Sequence, residues 1–222
     1  MINIAIDGPG GAGKSTIARA VAAELGFIYV DTGALYRAVG LNALRHGIDT
    51  RNIDGIVKML DETDVSLSFI DGEQRVMLNG EDVSTAIRLP EASMAASNVS
   101  AIPAVRQFLF DLQRKIAEEN NCLMDGRDIG SVVLPNADLK LFMTASPETR
   151  AQRRFDELKA KGEDVKYSEI LDELNKRDYQ DSHREIAPLK QAEDAILFDT
   201  SDLSFDEVKN KLIEMVKEKI DG

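Results

Sequence analysis

The chain has 222 residues, 43% of them hydrophobic and 30% charged, with a formal net charge of −12 and a single cysteine. That acidity argues against non-specific nucleic-acid binding, and no apolar run approaches the ~20 residues needed to span a bilayer. The lone Cys122 excludes an intramolecular disulfide, and the N-terminus lacks a basic, apolar signal pattern, so the expectation is a cytoplasmic protein.

The apolar run Ile2–Asp7 reads as a first strand, followed at once by GPGGAGKST at 8–16. A helix follows, with Ile17, Ala18, Val21, Ala22 and Leu25 at helical spacing and Gly26 as its stop. Phe27–Val30 reads as a short buried strand. Asp31 and Thr32 open another helix, with Leu35, Val39 and Ala43 on one face and Gly47 at its end. Val65–Phe69 alternates apolar and polar, and Asp71-Gly72 and Asn79-Gly80 are turn signals around a second run, Arg75–Leu78, so a small antiparallel meander is expected. Further strands are expected at 122–125, 139–143 and 195–199. A helix-rich stretch from Ser146 to Arg184 opens with an N-cap and Pro147, and Ser204–Glu207 is a capping box. Five short apolar strands alternating with helices predict an α/β fold, a parallel sheet covered on both faces, with ligands at the C-terminal ends of the strands.

GPGGAGKST matches G-x-x-x-x-G-K-S/T, a strand-to-helix loop that cradles phosphates. Its glycines, Gly8, Gly10, Gly11 and Gly13, with Pro9 and Ala12 between them, let backbone N–H groups turn inward around an anion. Lys14 places a cation on the outer phosphates, Ser15 offers a hydroxyl to a phosphate-bound Mg²⁺, and Thr16 adds a second hydroxyl in the helix's first turn. The same glycines also spell G-x-G-x-x-G, the dinucleotide fingerprint, with Asp31 at about the required distance of ~20 residues. The Lys14-Ser15 tail decides for phosphates, because a dinucleotide site has no use for it.

An acidic protein that handles phosphates must gather its cations locally, so arginines are expected to converge on the loop. Arg37, near the start of the second helix with Tyr36, could meet a second phosphate beside the Thr32 hydroxyl. Asp125-Gly126-Arg127-Asp128-Ile129-Gly130 follows a sheet strand and belongs at the ligand edge, with Arg127 and Asp128 as ligand groups. Arg150, Arg153 and Arg154 lie on adjacent faces of one helix, and Arg177 and Arg184 are seven apart with Asp181 between them. Each alone reads equally as solvated helix surface. Asn175-Lys176-Arg177-Asp178 matches the guanine motif N-K-x-D but sits at helical spacing rather than after a strand, and no D-x-x-G follows at a later strand end, which argues against a GTPase. His46 and His183 form no metal spacing and read as surface residues, and Cys122 reads as a buried, inert thiol.

Taken together, GPGGAGKST, Asp31-Thr32-Gly33-Ala34-Leu35-Tyr36-Arg37, the DGRDIG stretch from Asp125, and Arg177-Asp178 followed by Asp181 and Arg184–Leu189 resemble the bacterial cytidylate kinases. The resemblance spans residues 2 to about 199 and implies a P-loop nucleoside monophosphate kinase of pyrimidine metabolism. It implies transfer of the γ-phosphate of ATP to CMP or dCMP, giving CDP or dCDP, with Mg²⁺ as cofactor. It implies one kinase domain, with a core of 1–61, 101–146 and 185–222, a nucleoside-monophosphate-binding insertion at about 62–100, and a lid with its following helix at about 147–184. Thr32, Arg37, Arg106 and Arg127 would hold the CMP phosphate, Ser97, Arg106 and Arg184 the cytosine, and Arg177 and Asp181 the ribose, with Asp128 orienting this network and Tyr36 also in the CMP site. Lys14, Arg127, Asp128 and the lid arginines Arg150, Arg153 and Arg154 would serve transfer. Partners are expected to be small nucleotides only, with no nucleic acid and no membrane, for a monomer. The alternatives are a phosphate-loop kinase for another small phosphorylated acceptor, a nucleotide switch without transferase activity, and a dinucleotide oxidoreductase.

Overall fold

A computed structural model describes residues 1–70 and 73–221. The Asp71-Gly72 turn expected in the meander, and Gly222, lie outside the described residues. The chain divides into two compact units, one of residues 1–29 and 120–222 and one of residues 30–119. The second contains the meander together with helices on either side of it.

The first unit is built on β1 (Asn3–Asp7), β6 (Cys122–Gly126), β7 (Leu139–Thr144) and β8 (Ile196–Asp199), with β2 (Ile28–Asp31) at the edge where the chain passes into the second unit. The sheet has five strands in the order β2-β6-β1-β7-β8. β1 pairs in parallel with both β6 and β7, placing Asp7 opposite Gly126 on one side and Phe142 on the other. Helices flank it. Ile4, Ile6, Leu123, Leu141 and Met143 pack with Ile17 and Val21 of α1 (Lys14–Leu25) and with Leu212 and Val216 of α8 (Phe205–Asp221). α1 is the helix expected after the phosphate loop, and α8 starts at the expected capping box. Ser204 Oγ accepts from the Glu207 amide at 3.3 Å, and Glu207 Oε2 accepts from the Ser204 amide at 2.8 Å. α6 (Pro147–Ala160) is capped by Ser146, whose Oγ accepts from the Thr149 amide at 3.1 Å. It packs with α7 (Tyr167–His183) around Ala151, Ile170 and Leu174.

The second unit holds α2 (Thr32–Arg45), α3 (Ile53–Leu60), β3 (Val65–Ile70), β4 (Glu73–Leu78), β5 (Glu81–Asp82), α4 (Pro90–Val99) and α5 (Pro103–Glu119). The meander forms as expected, with β3, β4 and β5 antiparallel. Asn79 and Gly80 turn it at φ 50° and 82°, the paired left-handed conformation that an Asn-Gly hairpin supplies. Its core is Leu35, Val39, Ile56, Leu78, Val105 and Leu109. Among the described residues no helix is long and apolar enough to cross a membrane. Cys122 is buried, and burial pushes its thiol up to about 12, so it is inert as expected.

Candidate active site

In the first unit, β1 ends at Asp7 and runs straight into the phosphate loop. A Cβ at Gly8 would stand 1.9 Å from the Met143 carbonyl oxygen of β7, so only glycine lets the chain leave the sheet there. Gly11 and Gly13 then turn the loop at φ 77° and 88°, and Gly13 leads into α1. Pro9 and Ala12 are buried, while Thr16 is exposed. The Lys14 ammonium donates to the carbonyls of Gly8 and Pro9, both at 2.8 Å, and so closes the loop. Burial first, and then the positive charge of Arg127, push it down to about 7, while Asp125 and Asp7 oppose the shift. A polyanion in the loop would restore its charge.

Ser15 Oγ donates to Asp125 Oδ2 at 2.9 Å, and the other Asp125 oxygen accepts from the buried Tyr29 hydroxyl at 2.8 Å. A hydroxyl beside a carboxylate is an oxygen pair suited to a hard cation such as Mg²⁺. Neither Asp125 nor Tyr29 was singled out from the sequence. Asp125 carried a signal, as the first residue of DGRDIG at a strand end, whereas nothing local marks Tyr29.

Arginines converge on this loop within the unit. A Cβ at Gly10 would lie 3.5 Å from Arg127 Nη2 and 3.7 Å from Arg177 Cδ, and one at Gly11 would lie 3.3 Å from Arg150 Cβ. Arg150, on α6, is 3% exposed. Its guanidinium donates to Ala145 O (2.9 Å), Gly10 O (2.9 Å) and Asp178 Oδ2 (2.6 Å), tying the loop to both α6 and α7. Arg153 points elsewhere, to Thr200 at the end of β8, with its carbonyl at 2.6 Å. Arg154 is exposed and pairs with Glu157 at 2.8 Å. Arg127 donates to Asp181 of α7 at 2.7 Å, and Arg184, just past α7, lies 3.5 Å from Asp128. Arg184 is also braced by the Ala187 carbonyl at 2.7 Å. Asn175–Asp178 lies inside α7, so the guanine-motif match is a helical coincidence, as expected.

In the second unit, Asp31 caps α2, accepting from the Ala34 amide at 3.0 Å. Helix capping accounts for the acid that the dinucleotide reading required. Thr32 is buried at the first position of α2. The buried Arg106 of α5 stands over the Tyr36 ring at 5.8 Å. Arg37 is half-buried, and Ser97 is exposed on α4.

A family model described as cytidylate kinase matches residues 4–218. The chain belongs to the cytidylate kinase family. Cytidylate kinase from Caldicellulosiruptor bescii is 54% identical over 214 residues, which are 96% of this chain and 95% of that one. Cytidylate kinase from Caldanaerobacter subterraneus is 53% identical over 221 residues, 100% of this chain and 97% of the relative, and that from Lactobacillus gasseri is 46% identical over 219 residues, 99% and 95%. A solved structure of an uncharacterized protein from Eubacterium ventriosum shares the fold, with TM-score 0.54, 14% identity and coverage of 98% and 99%. In this member of the cytidylate kinase family, three arginines, Arg127, Arg150 and Arg177, lie against the glycines of the phosphate loop.

Proposed function

We propose that the chain transfers the γ-phosphate of ATP to CMP or dCMP, giving ADP and CDP or dCDP. The observation that carries this reading is the arginine-walled phosphate loop in a chain of the cytidylate kinase family. The triphosphate lies in the loop, against its amides and Lys14. Ser15, with Asp125 behind it, would hold Mg²⁺, which neutralises charge on the phosphates when bound. An oxygen of the CMP phosphate attacks the γ-phosphorus, and the bond from that phosphorus to the β–γ bridging oxygen breaks, releasing ADP. The acceptor oxygen is already anionic, so no strong general base is needed, and positioning and charge stabilisation do the rest.

Thr32, Arg37, Arg106 and Arg127 are assigned to the CMP phosphate, Ser97, Arg106 and Arg184 to cytosine, Arg177 and Asp181 to the ribose, and Tyr36 to the CMP site as a whole. The Arg184–Asp128 and Arg127–Asp181 pairs support assigning these four side chains to one network. Residues 147–184 act as the lid, and 62–100 as the acceptor-binding insertion. Among the lid arginines, the engaged guanidinium of Arg150 supports a role in holding the loop.

Purified protein with ATP-Mg²⁺ and a panel of CMP, dCMP, UMP, AMP and GMP tests the reading by ADP formation. Transfer is expected with CMP and dCMP well above the rest. Equal rates with every acceptor would instead favour a kinase for another phosphorylated acceptor, and ATP hydrolysis alone would sink transfer altogether.

A further inference from the structure

Asp7 is the last residue of β1 and the residue immediately before the phosphate loop. It is 4% exposed. Both of its carboxylate oxygens are used: Oδ1 accepts from the Ile129 amide and Oδ2 from the Gly130 amide, each at 2.7 Å. Those amides belong to the first two residues of a π-helical turn, Ile129–Val133, which begins directly after Arg127 and Asp128. The turn is otherwise closed by its own backbone, with the amides of Val132 and Val133 returning to the Asp128 carbonyl at 2.9 and 3.2 Å. A Cβ at Gly130 would come within 3.2 Å of the Lys140 side chain, so the turn packs closely against β7 there.

One buried carboxylate therefore joins the donor loop to the loop that carries Arg127 and Asp128. The chemistry requires a carboxylate rather than any polar group of that shape. Two converging N–H donors need two acceptors, and an amide side chain would present a donor to one of them. Burial opposes the negative charge and pushes the carboxyl up to about 6, Asp128 raises it further, and the two amides and Lys14 pull it back. A costly buried charge is thus maintained at the hinge of two functional loops.

We propose that Asp7 is a positioning residue for phosphoryl transfer, fixing the Arg127–Asp128 loop relative to the phosphate loop. This rests on the reading that Arg127 serves transfer to the acceptor. Without the carboxylate the turn at 129 loosens, Arg127 and Asp128 lose their register, and transfer slows while ATP still binds.

The test is a double-mutant cycle on the full chain with Asp7→Asn and Arg127→Ala, followed by ADP formation with CMP. Asp7→Asn is expected to lower kcat at least tenfold with KM for ATP changed less than threefold. The double variant is expected to be no slower than Arg127→Ala alone, since both remove the same function. A twofold or smaller loss in Asp7→Asn, or losses that multiply in the double variant, would overturn the proposal while leaving the Arg127 reading intact. An Arg127→Ala enzyme with full CMP activity would overturn that reading and the proposal with it. Should Asp7→Asn not fold, carbon-13 and nitrogen-15 NMR of the wild-type chain serves. The Ile129 and Gly130 amides, and with them the Arg127 Nε signal, are expected to follow the Asp7 carboxyl carbon as pH is changed. Amides indifferent to that titration would overturn the proposal.

Discussion

Lys14 and Asp7 are two of the buried charges around the phosphate loop, and each has a measurable signature. With Lys14 assigned, as proposed, to the phosphates of ATP, Lys14→Ala should cut transfer by about a hundredfold or more. Because the variant relieves a buried ammonium but also loses its hydrogen bonds to the Gly8 and Pro9 carbonyls, it should melt within a few degrees of wild type. A thermal scan beside the rate measurement checks both, and a rate unchanged by the substitution would contradict the role given to the loop. Asp7 makes a pH prediction. Its carboxyl titrates at about 6 in the folded chain against an ordinary 3.8, so the folded state binds this proton more tightly than the unfolded one. Stability from this group is greatest below the unfolded value and is lost as pH rises from about 4 to about 6. Over that window wild type should lose about 3 kcal/mol more than Asp7→Asn, on the order of two pKa units. Urea titrations of both proteins across it read the difference, and parallel profiles would refute it. Lys14 was legible from its motif. Asp7 was not, because a strand-terminal aspartate becomes informative only when the amides it caps, more than a hundred residues away in sequence, are in view.

Helices show where local signals suffice. Ser146 and Ser204 cap α6 and α8 as their spacing predicted, since a cap depends only on residues within one turn. Ser204→Ala should therefore cost about 1 kcal/mol in urea denaturation with kcat unchanged. The arginines of α6 show where local signals fail. Arg150, Arg153 and Arg154 look alike as a helical run, yet one is buried against Gly10 and Asp178, one reaches Thr200, and one lies in solvent. Arg150→Met should cost about 3 kcal/mol, because it leaves the buried side of Asp178 and the Gly10 carbonyl without their donor. It should also raise KM for ATP, since the same guanidinium braces the loop. Arg154→Ala should be neutral within about 0.5 kcal/mol, as expected of an exposed pair one turn apart. Comparable losses in the two variants would contradict this division.

At the scale of the whole molecule, the acidic chain concentrates cations where it meets phosphate. Three arginines border the loop despite a net charge of −12. Ligand binding should therefore stabilise the fold selectively. At a hundred times its Kd, ATP-Mg²⁺ should add about 2.7 kcal/mol to unfolding. Oxidised nicotinamide dinucleotide at the same concentration should add nothing measurable, because Asp31 is engaged as the α2 cap and Lys14 closes the loop. Equal stabilisation by the dinucleotide would reopen the reading written in the same glycines.

The sequence by itself determined the alternation of strands and helices, the caps, the Asn79-Gly80 turn and the phosphate loop. Each depends on periodicity or on side chains a few residues apart. Tertiary structure alone decided which arginine faces the loop, that Asp125 rather than solvent receives Ser15, and that Asp7 holds the turn after Asp128. Those contacts join helices, loops and strand ends more than a hundred residues apart in the chain, and no local pattern encodes a partner that is reached only once the sheet and its flanking helices have assembled.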